Sequence, residues 1–165
     1  MNLENASDNI IKLDRMRYTK DTLSANLILL AIVFDALYFV RLYQHDVSTY
    51  YYNWQIGASV IYNLIFMLIA FLCSESVKSR KTNMTGLLIF IGVMQFVRLT
   101  QIPAKLRVDT VTIGGVETPV MSEGTLTFLI VMLIASGILL LVAAAISLIN
   151  TGKLNKYLKT LEKSA

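Results

Sequence analysis

Two side chains that commonly carry chemistry are almost missing from this sequence, which has one cysteine, Cys73, and one histidine, His45. A lone thiol forms neither an internal disulfide nor a dithiol redox pair, which excludes a disulfide-stapled secreted module. A single imidazole cannot provide bis-histidine haem ligation or a multi-histidine metal site; its plainest place is a solvated loop. Charge is scarce too, at 16% of 165 residues, where an ordinary soluble domain carries about 25%. The sequence contains no Ser–His–Asp set, no His-x-x-x-His, no phosphate-cradling glycine loop and no cluster of metal ligands. Glu117 and Glu123 show no paired-acid spacing. The expectation is a non-enzyme without cofactor or metal.

What is abundant is apolar sequence. Hydrophobic residues make up 55% of the chain and the mean hydropathy is +0.60. They gather into long blocks, at Leu23–Tyr43, Trp54–Leu72, Thr85–Ile102 and Thr125–Ile149. A membrane helix needs about 20 mostly apolar residues to cross about 30 Å of hydrocarbon. An all-α integral membrane protein is therefore expected, with four transmembrane helices in one bundle. It divides into an N-terminal arm (1–22), a membrane domain (23–149) and a basic tail (150–165). The first block is too far from the start, and too charged, for a cleaved signal peptide.

Basic residues fall on one side of such a thread. Lys12, Arg15, Arg17 and Lys20 precede the first span; Lys78, Arg80 and Lys81 follow the second; Lys153, Lys156, Lys159 and Lys163 follow the fourth. The opposite side receives Lys105 and Arg107, with Arg41 and Arg98 at the ends of spans one and three. The positive-inside rule then puts both termini in the cytoplasm, in a cell membrane (plasma or inner). The net charge of +4 reflects this topology, and no nucleic-acid partner is implied. The sequons at Asn5 and Asn83 would face the cytoplasm, unglycosylated.

Tyr43, Tyr50, Tyr51, Tyr52 and Trp54 crowd the first outer loop, as an interfacial belt or, alternatively, an aromatic cage. In the second outer loop, Val108–Ile113 and Val116–Val120 flank Gly114-Gly115, the pattern of a short β-hairpin. In the tail, Leu154, Leu158 and Leu161 share one face, with the four lysines around the rest. This suits either a helix lying on anionic lipid or a solvated extension of span four.

One repeat stands out. Phe39-Val40-Arg41-Leu42-Tyr43-Gln44 recurs as Phe96-Val97-Arg98-Leu99-Thr100-Gln101, differing where Tyr43 gives way to Thr100. Both copies would run outward at one depth, which suggests a parallel repeat of two helical hairpins. The repeat also sets out a candidate polar cluster: Asp35, Tyr38, Arg41 and Gln44 from span one; Gln55, Ser59 and Asn63 from span two; Gln95, Arg98 and Gln101 from span three. Ser136 is the main polar contribution of span four, whose Ala143, Ala144 and Ser147 favour close helix contact.

Asp35 is the most exacting member of the cluster. A mid-membrane aspartate costs about 2.5–3.5 kcal/mol on insertion scales and should face inward to a partner or stay protonated. Arg41, about 120° round the same helix, is poorly placed for it, and Arg98 is better. For either arginine, snorkelling to the headgroups is the simpler alternative.

The function expected is that of a small membrane protein acting through self-assembly, or as a subunit or accessory of a larger membrane complex. Its other partner would be the bilayer, with anionic lipid at the inner face. The alternative is a homo-oligomeric transporter or channel whose outward polar site favours a small anion, since two arginines stand against one aspartate.

Overall fold

The computed structural model describes residues 3–44, 54–80, 84–100, 110–113, 116–119 and 121–164, with side chains at 10–16, 18–43, 60–80, 84–100 and 121–162. These residues form five α-helices: α1 (Leu3–Tyr18), α2 (Thr22–Gln44), α3 (Trp54–Lys78), α4 (Thr85–Leu99) and α5 (Glu123–Ser164). Two strands, β1 (Thr110–Ile113) and β2 (Val116–Pro119), pair antiparallel, with Thr110 opposite Pro119 and Ile113 opposite Val116. His45, Tyr50, Tyr51, Tyr52, Asn83, Gln101, Lys105, Arg107, Gly114 and Gly115 lie outside the described residues.

Helices α2, α3 and α5 are long and apolar enough to cross a membrane. Helix α4 is apolar but shorter, with 15 residues, or about 22 Å of rise. It stops before the end of the apolar run Thr85–Ile102, because Thr100 caps it: the Thr100 N–H donates to Val97 O at 3.0 Å and its Oγ1 to the same oxygen at 2.7 Å. Helix α5 does the reverse. It continues through Ile149 and Gly152 into the basic tail as one rod of 42 residues. The fall in hydropathy there does not end the rod, and Gly152, though a poor helix former, is carried within it with no proline nearby.

Helix α5 packs on α2 and α4, α3 packs on α2 and more sparingly on α4, and α1 lies against α5. One apolar layer joins Ile28, Ala31, Phe66, Ala70, Val77, Leu88, Ile91, Leu140 and Ala143. A second joins Tyr38, Leu42, Met121, Leu129 and Leu133. Asp35, Gln95 and Ser136 fall between these layers, fully buried. The outward faces are apolar as well, with Val33, Leu37, Ile61, Leu68, Phe90, Val131 and Val142 exposed. Such a surface suits lipid and would be a liability in water.

The α4–α5 seam depends on two glycines. A Cβ on Gly92 would stand 2.9 Å from Leu141 Cδ2, and one on Gly137 would stand 2.9 Å from Phe96 Cε2 and 3.3 Å from Gln95 Cβ. Their hydrogens let the two backbones approach, as small residues do between membrane helices.

At the end where α2 begins, Asp21 forms a clasp. It precedes α2 and caps it, with Oδ1 accepting the Ser24 N–H at 3.3 Å and Oδ2 the Ser24 hydroxyl at 3.1 Å. The same Oδ2 accepts from Asn150 Nδ2 of α5 at 3.1 Å, while the Asp21 N–H donates to Lys78 O at the end of α3, also at 3.1 Å. Nearby, Ser74 Oγ donates to Ala25 O at 3.1 Å, joining α3 to α2.

Candidate functional site

The polar groups between the two apolar layers come from four helices. Asp35 and Tyr38 lie on α2, Asn63 on α3, Gln95 and Arg98 on α4, and Ser136 on α5. Helix periodicity brings them together. On α2 the buried positions step Ala31, Asp35, Tyr38, Leu42, and on α4 they step Leu88, Ile91, Gln95, Arg98, near the 3.6-residue repeat. Asp35 stands as far from Thr22 as Arg98 does from Thr85, about 20 Å along each axis. The two parallel helices, starting at the same end, therefore deliver acid and base at one level.

Arg98 organises the site. Its Nη1 donates to Asp35 Oδ1 at 2.6 Å and to Gln95 Oε1 at 2.8 Å, and its Nη2 donates to Asn63 Oδ1. Gln95 turns its amide the other way, Nε2 donating to Asp35 Oδ1 and to Ser136 Oγ, both at 3.1 Å. The guanidinium carbon lies 5.0 Å from the centre of the Tyr38 ring and 5.4 Å from those of Tyr62 and Phe66. Rings at this range attract a cation, more strongly when water is excluded. Arg98 also occupies the last turn of α4, where a positive charge meets the helix's negative end.

The carboxylate and guanidinium neutralise one another almost out of solvent, with side chains 0% and 6% exposed. Bringing a buried ion pair into apolar surroundings is expensive, and the short Arg98–Asp35 contact with its amide partner offsets part of that desolvation. Two polar atoms at the site have no hydrogen-bond partner: Asp35 Oδ2 and the Tyr38 hydroxyl.

The sequence-predicted cluster is thus divided. Asp35, Tyr38, Asn63, Gln95 and Arg98 are buried. Arg41 is exposed, so the expectation that it joins them is corrected: it lies one step off the Asp35–Tyr38–Leu42 stripe, whereas Arg98 continues the stripe of α4. Gln44, Gln55 and Ser59 belong to helices, but their side chains lie outside the described residues, as does Gln101 altogether. Among the described residues no group of three or more His, Cys, Asp or Glu could hold a metal ion.

Sequence reasoning missed the aromatic enclosure of Arg98 by Tyr62 and Phe66, which periodicity could have found: both flank the Asn63 level of α3. It also missed the Asp21 clasp, although Asp-x-x-Ser before an apolar run is a helix-start signal. Comparison with protein-family models, curated proteins and solved structures finds no match to this chain.

Proposed function

We propose that this protein is a non-enzymatic multi-pass membrane protein whose four apolar helices cross the bilayer as a bundle. It works by self-assembly or as a subunit or accessory of a larger membrane complex. The Asp35–Arg98 pair carries this reading: the buried ionisable groups bind one another and Asn63 of α3, and reach Ser136 of α5 through Gln95, so their chemistry is spent on holding the helices in register. Helix α4 is the short member, and residues beyond Leu99 would complete its crossing. Both termini lie in the cytoplasm under a cell membrane, as the one-sided basic residues argue. Lys153, Lys156 and Lys159 are exposed on α5 and, with Lys163, would meet anionic lipid there.

Purification of the full chain in mild detergent, with mass measurement and identification of co-purifying proteins, tests the proposal. A second copy or a stoichiometric partner is expected; a monomer without partners would sink it. Topology has its own test, because Cys73 is buried. In intact cells, Gly115→Cys should react with an impermeant thiol reagent and Lys156→Cys should not; the reverse pattern would overturn the orientation.

The unpartnered Asp35 Oδ2 and Tyr38 hydroxyl favour a second reading, a homo-oligomeric transporter in which these atoms take a solute. Under that reading Asp35→Asn must change solute flux in vesicles while leaving the assembly intact. With Arg41 outside the centre, one arginine faces one aspartate, and the argument for an anion loses its excess charge.

A further inference from the structure

The end of the molecule that carries the Asp21 clasp also carries a cation the clasp does not use. Arg80 closes the turn after α3, its N–H donating to Val77 O at 2.8 Å while the Ser79 N–H reaches Glu75 O at 3.2 Å. Its φ is 55°, and among the described residues no other non-glycine has a positive φ. Glycine is the usual occupant of this left-handed position after a helix, because a Cβ is strained there. An arginine held in that strained conformation points to a role for its side chain.

That side chain has both Nε and Nη1 buried without a hydrogen-bond partner. A guanidinium does not lose its charge, so these donors need acceptors, and an anion suits them best. Glu75 and Asp21, the acids with bonds at this end of α3, have other partners. Glu75 Oε1 accepts from Lys78 Nζ at 3.2 Å, and both oxygens of Asp21 accept from Ser24, with Asn150 adding a bond to Oδ2. Arg80 also sits two residues beyond the apolar stretch Val60–Lys78, at the level where a membrane helix meets headgroups. Exposed Lys20, Lys153 and Lys156 belong to the same end, and a field of one sign concentrates anions there.

We propose that Arg80 binds a phosphate oxyanion, supplied by the headgroup of an anionic lipid. Phosphate oxygens only accept, carry the opposite charge and match the planar donor set of a guanidinium. The site rests on the membrane reading above and adds to it a named residue and a ligand class.

Thermal unfolding of the full chain in mild detergent tests this, with phosphatidylglycerol, phosphatidylcholine or inorganic phosphate added. The decisive variant is Arg80→Gly, which removes the guanidinium and suits the left-handed backbone, so it should fold without lipid. Arg41→Gln removes an equal charge outside the proposed site. Phosphatidylglycerol should raise the midpoint of the wild type and of Arg41→Gln, with phosphatidylcholine and inorganic phosphate far less effective. Arg80→Gly should need at least tenfold more phosphatidylglycerol for the same rise. An equal rise with inorganic phosphate would keep the oxyanion site and overturn the headgroup as its source. An undiminished response in Arg80→Gly, or an equal loss in Arg41→Gln, would overturn the proposal. Failure of the membrane reading looks different: the chain would then stay monodisperse without detergent.

Discussion

Two buried aspartates, one just before α2 and one within it, are held in opposite ways. Asp21, just before the first residue of α2, accepts from an N–H, a hydroxyl and an amide, all neutral. Asp35, in the helix interior, accepts from a guanidinium and an amide that both come from α4. Position along the helix explains the difference. At an N-terminus the backbone offers free N–H groups and the positive end of the helix dipole, so a carboxylate needs no cation. In mid-helix every N–H is committed, and the carboxylate must find its donors on another helix. The Asp21 clasp can therefore rely on neutral donors, whereas the centre needs a counter-charge.

Breaking the pair should give the largest effect. Arg98→Gln leaves the Asp35 carboxylate without its counter-ion and weakens the ties to Asn63 and Gln95, for an expected loss of about 3–5 kcal/mol. Graded denaturation in detergent would measure it, and a loss below about 1 kcal/mol would erase the contrast with Asp21. Asp35→Asn should also be costly, since it strands the guanidinium. Combined, the two changes should cost less than their sum, with a coupling of about 1–3 kcal/mol. Additive losses would mean that the pair does not hold the helices.

Next in size comes the seam that positions Gln95. Gly137→Ala would press a methyl against the Phe96 ring and the Gln95 Cβ, a change expected to cost about 1–3 kcal/mol. Gly86→Ala is the matched control on α4, because nothing lies within 4 Å of its added Cβ. It should be neutral, or stabilising by about 0.5–1 kcal/mol, as alanine is the better helix former. Similar losses at both positions would deny the close approach of α4 and α5.

The clasp should be softer than the centre. Asp21→Ala removes a helix cap and leaves Asn150 and Ser24 without their acceptor, for about 0.5–2 kcal/mol. Asparagine caps about as well as aspartate, so Asp21→Asn should be close to neutral in the same denaturation series. The same exchange at Asp35 should not be. Equal tolerance of asparagine at both positions would show that charge does no more in the centre than at the helix end.

These contrasts also mark what the sequence makes legible. The membrane character of α2, α3 and α5 can be read directly, because apolar runs of that length have few other uses. The level of Arg98 against Asp35 follows from helix geometry alone, and the two groups are 2.6 Å apart. Less legible is where helices end. Helix α5 ignores the polarity change at residue 149, since polarity reports the surroundings of a helix while backbone propensity and capping set its length. The Asp21–Asn150 bond joins positions 129 residues apart, and no local pattern names such a partner. The left-handed Arg80 is invisible for the same reason: a helix end shows its sharpest signal when it uses glycine.

Arg41 gives the smallest effect and the finest test of the comparison. It sits in the same Phe-Val-Arg-Leu context as Arg98, so sequence similarity alone predicts equal roles. The helix faces say otherwise: Arg98 is 5% exposed, whereas Arg41 is exposed and its neighbours Tyr38 and Leu42 take the buried positions. An exposed arginine at a helix end can carry its head to the headgroups, where its charge is solvated whether or not the chain is folded. Arg41→Gln should therefore change stability by no more than about 0.5 kcal/mol, the range of substitutions away from packed or paired groups. The double variant Arg41→Gln with Arg98→Gln should add simply, because nothing couples the two arginines. A loss at Arg41 comparable with that at Arg98, or strong coupling between them, would mean that the repeat is functional in both copies and that Arg41 reaches the centre after all.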